Sequence, residues 1–462
     1  MPQKNSTASA EVGLLAGMGQ RFLDFCDRFR GHFRQKTRTV ETAAQQYVQG
    51  LIQAETKNME RIEEVVPKTD HQTLQHMVSE SAWSERAILD QVAQDANRLL
   101  GRHEDSALLI DDSGVPKKGT HSVGVGRQWC GQWGKVENGQ VGVFAALSRG
   151  SDATLIDERL FLPEDWTRDA ARCQAAGIPK AQRSFQRKTD LALAMTLHAR
   201  QQGIGFAWVG FDGFYGSDPA FLRALEAQGE VFVGDVHKDQ RMYLADPQPI
   251  VPPPAHPRGR PPRVLQAQTP ALRVDHWVAQ QPPSAWQPVT LREGTKGALQ
   301  VEMLHQRVWL WDGEEAQARP WHLIVRREIG TPTEIKYSLS NAPADTSVAR
   351  LAFMQGQRYW VERALPTSKP DVGLGDYQVR GWRGWHHHMA LVMMAMLFLL
   401  EERQLHRQTR PLLSGRDIRA LLNQFLPRRD TTLEEVLHQM EVRHRKRQAA
   451  IDSAYRKQQL NQ

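Results

Sequence analysis

The chain has 462 residues, too many for one small domain and enough for roughly two to four units. Hydrophobic residues make up 40% and charged residues 24%, which is enough apolar material for a sizeable core. The formal charge of +7 favours a polyanionic partner, either nucleic acid or an anionic membrane surface. Cys26, Cys130 and Cys173 are widely spaced and form no C-x-x-C pair. That excludes a disulfide framework and a zinc knuckle, and it fits a reducing cytoplasm.

The N-terminal run MPQKNSTASAEVG lacks a long apolar segment, so no signal peptide is expected. From Glu11 to Leu100, apolar residues recur at spacings of three and four, as in GLLAGMGQRFLDFCDRF and SAWSERAILDQVAQDANRLL. This predicts helices. They form either a bundle that only packs on the core or a module that binds DNA ends, and no helix-turn-helix signature decides between them. The run SALLIDD then predicts a buried strand closed by Asp111 and Asp112. HSVGVGRQ and GQVGVFAAL predict further strands of an antiparallel meander, followed by a polar stretch and a helix near Gln186–Gln201. GFAWVGFD is a strand closed by Asp212, DPAFLRALEAQG a helix and EVFVGDV a strand. Strands first, then alternating helix and strand, is the order of an RNase H-like α/β core.

Residues 247–262, PQPIVPPPAHPRGRPP, are too rich in proline for a central strand and predict a linker or groove-lining arm. ALQVEMLHQRVWLW, RPWHLIVRRE and TEIKYSLSNAP follow as three strands of an inserted β-unit. Helical patterning resumes at Tyr359, where Pro366 and Pro370 predict an early end to the helix that carries Glu362. Met389–Leu400, MALVMMAMLFLL, falls short of the roughly 20 residues needed to span a bilayer and reads as a buried core helix. From Met440 onward six Lys or Arg face only Glu441 and Asp452, a solvated helix end or a phosphate-contacting tail.

Three acid positions stand out: Asp111–Asp112, Asp212 and Glu362. Acids at strand ends are exposed while their backbone is held rigid, which suits a metal site. Hard oxygen ligands select Mg²⁺ or Mn²⁺, and a pair of such ions can activate one phosphodiester oxygen and stabilise another.

Long runs around these acids carry a resemblance. LLIDDSGVPKKGTHSVGVGRQWCGQWGKVENGQVGVFAAL resembles the first catalytic block of insertion-sequence DDE transposases. WVGFDGFYGSD resembles their second-acid block. PWHLIVRRE with EIKYSLSNAP resembles the end of their β-strand insertion domain. YWVERAL with DYQVRGWRGWHHHMALVMMA resembles the third-acid block. The resemblance covers roughly Asp105 to Glu402 and implies an RNase H-like core that cuts and joins DNA with Mg²⁺, Mn²⁺ substituting. It places the first acid on Asp112 or Asp111, with Asp112 preferred because Ser113 follows it, the second on Asp212 and the third on Glu362. All four carboxylates are candidate metal ligands. It also makes Tyr359, Arg363 and Lys369 candidates for phosphate contact. Two departures, FDGFYG in place of an alanine-rich run and the two prolines after Glu362, point to a specialised or inactive member. The filled acid positions favour activity.

The implied partners are double-stranded DNA, both transposon ends and target, and a second copy of the chain, with no membrane and a cytoplasmic, nucleoid-associated location. The expected organisation is a helical N-terminal domain over 1–102 and a first core segment over 103–245. A Pro-rich arm and inserted β-domain follow over 246–350, then the rest of the core with Glu362 over 351–405 and a basic helical region over 406–462. Lys117 and Lys118 belong either to a solvated loop or to a phosphate contact beside the metals. Among Trp309, Trp311 and Trp321 the choice is core or base stacking, with Trp321 the stacking candidate. His386, His387 and His388 are neighbours about 100° apart on a helix and cannot share one ion. No G-x-x-x-x-G-K-[ST] is present, so ATP-driven chemistry is not indicated. The readings are an active transposase, a catalytically impaired transposase-derived DNA-binding protein, or a structure-specific nuclease on the same fold.

Overall fold

A computed structural model describes residues 13, 15–36, 38–131, 134–253, 262–294, 297–430 and 432–460. Among the described residues, the helices α1 Met18–Phe29, α2 Glu41–Gln53, α3 Met59–Val65 and α4 His71–Ser79 come first. Helix α5 Glu85–Leu100 leads into strands β1 Ser106–Pro116, β2 Gly126–Cys130, β3 Lys135–Arg149 and β4 Asp152–Leu160. After the short helices α6 Glu164–Thr167 and α7 Ala170–Ala175 come α8 Lys188–Gln201, β5 Trp208–Phe211, α9 Gly213–Gly216, α10 Pro219–Ala227 and β6 Phe232–Val236. Then follow β7 Arg241–Met242, β8 Leu272–Arg273, α11 Val274–Ala279, β9 Gln287–Gly294, β10 Gly297–Leu310, β11 Arg319–Glu328 and β12 Thr331–Ser340. The chain ends with α12 Val348–Gln357, α13 Tyr359–Val372, α14 Trp382–Leu405, α15 Gly415–Phe425 and α16 Leu433–Leu460.

Two compact units divide these elements. One takes residues 1–84, 369–379 and 383–462, and the other residues 85–368 and 380–382. The first is helical. Its centre is α14, which is apolar on all sides and therefore buried on all sides. Phe398 of α14 meets Phe22 and Phe25 of α1 edge-on, each at 5.3 Å between ring centroids. His386, His387 and His388 are all buried there. His387 and His388 act as hydrogen-bonding core residues: His387 stacks on Trp83 at 3.6 Å and bonds the Val78 and Trp83 carbonyls. His388 Nδ1 meets the Tyr47 hydroxyl at 2.9 Å. Among the described residues, no helix is long and apolar enough to cross a membrane.

The second unit is built on one mixed sheet in the order β2-β3-β1-β5-β6-β12-β11-β10-β9, with β4 paired to β3. β3 runs antiparallel to both β1 and β4, while β1, β5 and β6 are mutually parallel. This is an RNase H-like core, and it explains why Ala107–Ile110 are uniformly apolar. A strand flanked on both edges and covered on both faces has no solvent side. The inserted strands do not form a sheet of their own. β12 pairs antiparallel with β6, from Tyr337 opposite Val236 to Ser340 opposite Val233, and so covers an edge that would otherwise be open.

Three details differ from the sequence expectations. The polar stretch after β3 contains the strand β4, which is buried almost throughout, its acids Asp152, Asp157 and Glu158 included; Asp157 is paired with Arg86 at 2.7 Å. β1 does not end at Asp112 but continues to Pro116, because β3 goes on pairing with it after β5 has stopped. Helix α13 is not cut short and runs through both proline positions to Val372. Each proline lacks the N–H that would reach back four residues, to the carbonyls of Glu362 and Pro366, and the helix carries that cost. Part of the arm, residues 254–261, lies outside the described residues.

Candidate active site

The last paired residues of the parallel strands β1 and β5 are Ile110 and Phe211. The next residue on each strand is an acid, so Asp111 and Asp212 lie side by side at the carboxyl edge of the sheet, where ligands of open α/β sheets bind. Burial pushes the Asp111 carboxyl up to about 8, and the negative charges of Asp212 and Asp112 add to the shift. Burial also raises Asp212, with Asp112 adding to it and Arg358 opposing. Neither Asp111 nor Asp212 has an ion pair among the described residues. Asp112, one residue on, takes the opposite side of β1 by strand alternation. There its Oδ2 meets Lys188 Nζ of α8 at 2.6 Å.

Asp212 also caps α9, accepting the backbone N–H groups of Phe214 at 3.0 Å and Tyr215 at 3.4 Å. This short turn sits directly on β6. A Cβ on Gly216 would collide with the Asp235 carbonyl oxygen, so only glycine permits the approach. Tyr215 is fully buried, and its hydroxyl has no hydrogen-bond partner among the described residues. Burial and the charges of Asp112, Asp111 and Asp212 all hold that phenol protonated.

Glu362 is held apart from this pair. Its Oε1 receives Arg358 at 2.8 Å, one helical turn back, while Arg358 Nε donates to Asp235 Oδ2 of β6 at 2.8 Å. Asp235 accepts a further hydrogen bond of 2.6 Å from the Ser338 hydroxyl of β12. Burial alone would lower Arg358, but Asp235, Glu362 and Asp111 together hold it well above its ordinary value. The guanidinium therefore sits between the acids at the sheet edge and Glu362. Among the described residues, no three His, Cys, Asp or Glu side chains converge closely enough to ligate one ion.

The structure thus brings together Asp111, Asp112 and Asp212, with Glu362 linked to them through Arg358. Tyr359 lies one turn before Arg363, whose guanidinium carbon is 5.9 Å from its ring centroid. Lys369 lies in the last turn of α13 and is grouped with the first unit. Lys117 and Lys118 follow the end of β1 at Pro116, five and six residues after Asp112. Trp321 is 4% exposed, packs edge-on against Phe232 and donates its indole N–H to Glu226 at 2.9 Å. Sequence reasoning missed Lys188, Tyr215, Asp235 and Arg358. Only Asp235, an acid near the end of a predicted strand, carried a readable signal.

A family model described as DDE superfamily endonuclease matches residues 28–298, more than half of the chain. The chain belongs to the DDE superfamily endonucleases. It is also similar to a protein of Microchaete diplosiphon described as a probable transposase for insertion sequence element IS701. The two are 22% identical over 366 residues, covering 78% of this chain and 82% of that one. Among solved structures, the NurA nuclease of Sulfolobus solfataricus aligns over 61% of this chain and 85% of its own, with a TM-score of 0.27 and 10% identity. The DDE assignment makes this a nuclease-type enzyme, and its superfamily generally uses divalent metal ions.

The residues present fit such an ion. Two half-buried carboxylates lie side by side without an ion pair among the described residues, near a buried phenol that has no hydrogen-bond partner there. That is a concentration of unmatched negative charge which hard, oxygen-preferring cations neutralise.

Proposed function

We propose that this DDE endonuclease is an insertion-sequence transposase that cleaves DNA at the ends of its element with Mg²⁺ or Mn²⁺ and transfers the freed 3′-hydroxyl to target DNA. The observation that carries the reading is the in-register pair Asp111 and Asp212 at the carboxyl edge of the parallel strands. Divalent ions bound there would supply Lewis acidity to the attacking oxygen and offset charge on the leaving one. The chain's own residues do the positioning. Backbone N–H groups of Phe214 and Tyr215 fix one Asp212 oxygen, and the Asp112 N–H fixes Asp111 Oδ1 at 2.8 Å. Lys188 holds Asp112 on the other side of β1. On this reading Asp111, Asp212 and Glu362 are the principal acids and Asp112 supports them. The DNA is double-stranded, the chain acts as a homodimer on paired ends in the nucleoid-bearing cytoplasm, and Tyr359, Arg363 and Lys369 contact phosphates.

A second reading is a catalytically impaired DNA-binding relative, and the Arg358–Glu362 pair favours it because Glu362 is engaged away from the other acids. One experiment separates the two. A labelled duplex carrying the terminal repeat that flanks the coding sequence is incubated with Mg²⁺ or Mn²⁺ and wild type, Asp111→Ala, Asp212→Ala or Glu362→Ala. Metal-dependent cuts at the repeat boundary that vanish in all three variants support the transposase. Repeat binding without cuts, equal in all four proteins, leaves the impaired relative.

A further inference from the structure

Beside Glu362 a small cleft of about 150 Å³ opens between α13, the start of α12's following turn and the inserted strands. Four cations line it: Arg292 from β9, Arg326 from β11, Lys336 from β12 and Arg358. Three carboxylates, Asp235, Glu328 and Glu362, line it as well. Arg358 is already committed to Asp235 and Glu362. Arg292, Arg326 and Lys336 have no hydrogen bond or ion pair to a carboxylate among the described residues. The guanidinium carbon of Arg292 instead lies over the Tyr359 ring, 3.7 Å from its centroid, a contact that orders both side chains at the cleft wall.

This arrangement is electrostatically unfinished. Burial lowers Arg326, and the positive neighbours Arg358 and Arg292 lower it further, against the pull of Asp235 and Glu328. Partly buried like charges drawn from three separate strands are held together at a cost, and a tetrahedral polyanion would relieve it. The planar guanidinium of Arg326 and the point charge of Lys336 are the two donor types that recognise phosphate. The cleft's size suits one such group.

The geometry points to a binding site for a single DNA-backbone phosphate formed by Arg292, Arg326 and Lys336 of the inserted strands beside Glu362. This rests on the reading of the chain as a DNA-cutting enzyme and gives the inserted β-unit a task within it. The unit holds the strand next to the acids by its backbone, without reading bases.

The test measures affinity for a labelled duplex of arbitrary sequence, in Ca²⁺ buffer, as a function of salt. The proteins are wild type, Lys336→Gln, and the double variant Arg326→Gln/Lys336→Gln. Lys336 is exposed, so its variant is not expected to perturb folding, and thermal melting checks the double variant. Losing one phosphate contact predicts an approximately tenfold weaker double variant near about 0.1 M salt, with a log–log slope shallower by about 1. Lys336→Gln alone falls between it and wild type. A wild-type slope in a folded double variant overturns the site. A slope shallower by about 2 means two separate phosphates and overturns the shared cleft. The wild type is assayed in parallel for cuts in Mg²⁺. Failure of the cleavage reading then shows as normal binding without cuts, and failure of this one as an unchanged slope.

Discussion

Asp111 and Asp212 stand next to each other one residue beyond the Ile110–Phe211 pair, on parallel strands, with no cation paired to either among the described residues. Two carboxyls so placed cannot both ionise without cost, a common sign of a site that trades stability for function.

Removing one of them should therefore stabilise the metal-free protein. Asp111→Asn keeps the shape and removes the cost of taking a carboxylate out of water or protonating it on folding. It is expected to raise stability by about 1 kcal/mol in chelator while cutting cleavage by on the order of 10²–10³-fold or more. Urea unfolding in EDTA beside a cleavage assay reads both. A destabilised variant with normal cleavage would remove Asp111 from the site.

Divalent metal should offset the same liability. At a concentration about 100 times its dissociation constant, a bound ion adds about 2.7 kcal/mol, a rise of several degrees in melting temperature. Scanning wild type with and without Mn²⁺ gives that shift, and Asp111→Asn and Asp212→Asn should flatten it. An equal shift in all three proteins would place the metal elsewhere.

Arg358 is the buried cation shared by Asp235 and Glu362. Arg358→Ala leaves Asp235 uncompensated under the sheet edge, and we expect a loss of about 3–5 kcal/mol in chemical denaturation. Glu362→Gln removes only the more exposed partner and should cost less than about 1 kcal/mol. If the two variants cost the same, Arg358 is not the organising charge.

The inserted strands carry an acid-sensitive contact. His305 of β10 and His322 of β11 meet at 2.8 Å, and burial, with His322 and Arg307 adding to it, lowers His305 from 6.5 to about 4. A histidine whose folded value lies below its unfolded one favours the fold while neutral. That contribution is complete above about 6.5 and is lost as pH falls towards about 4. The melting temperature of wild type should fall through this window more steeply than that of His305→Gln. Parallel curves would show that the pair does not titrate there.

Much of the architecture was legible in local pattern. The runs ALLI, WVGF and VFVG are four residues without a polar side chain, each followed directly by an acid, and such runs read as central strands. The strand β4 escaped because it carries charged residues that are nevertheless buried, Asp157 against Arg86 of a helix 71 residues earlier. Helix α13 overrode its prolines for the same reason. Buried Val361, Leu365 and Val372 anchor it from one side, and that packing is invisible to helix propensity.

The site divides along the same line. Sequence by itself determined which acids could matter, Asp111, Asp112, Asp212 and Glu362, because strand ends and long family-like runs are properties of contiguous residues. Tertiary structure decided how they are arranged. Strand register set Asp111, not Asp112, beside Asp212, since one residue along a pleated strand reverses the side chain's direction. Pairing of β12 with β6 carried the inserted strands to the sheet edge, where Ser338 reaches Asp235. Lys188, Asp235 and Arg358 joined the site only there. An ion pair between residues more than 70 positions apart depends on chain path, which no local pattern encodes.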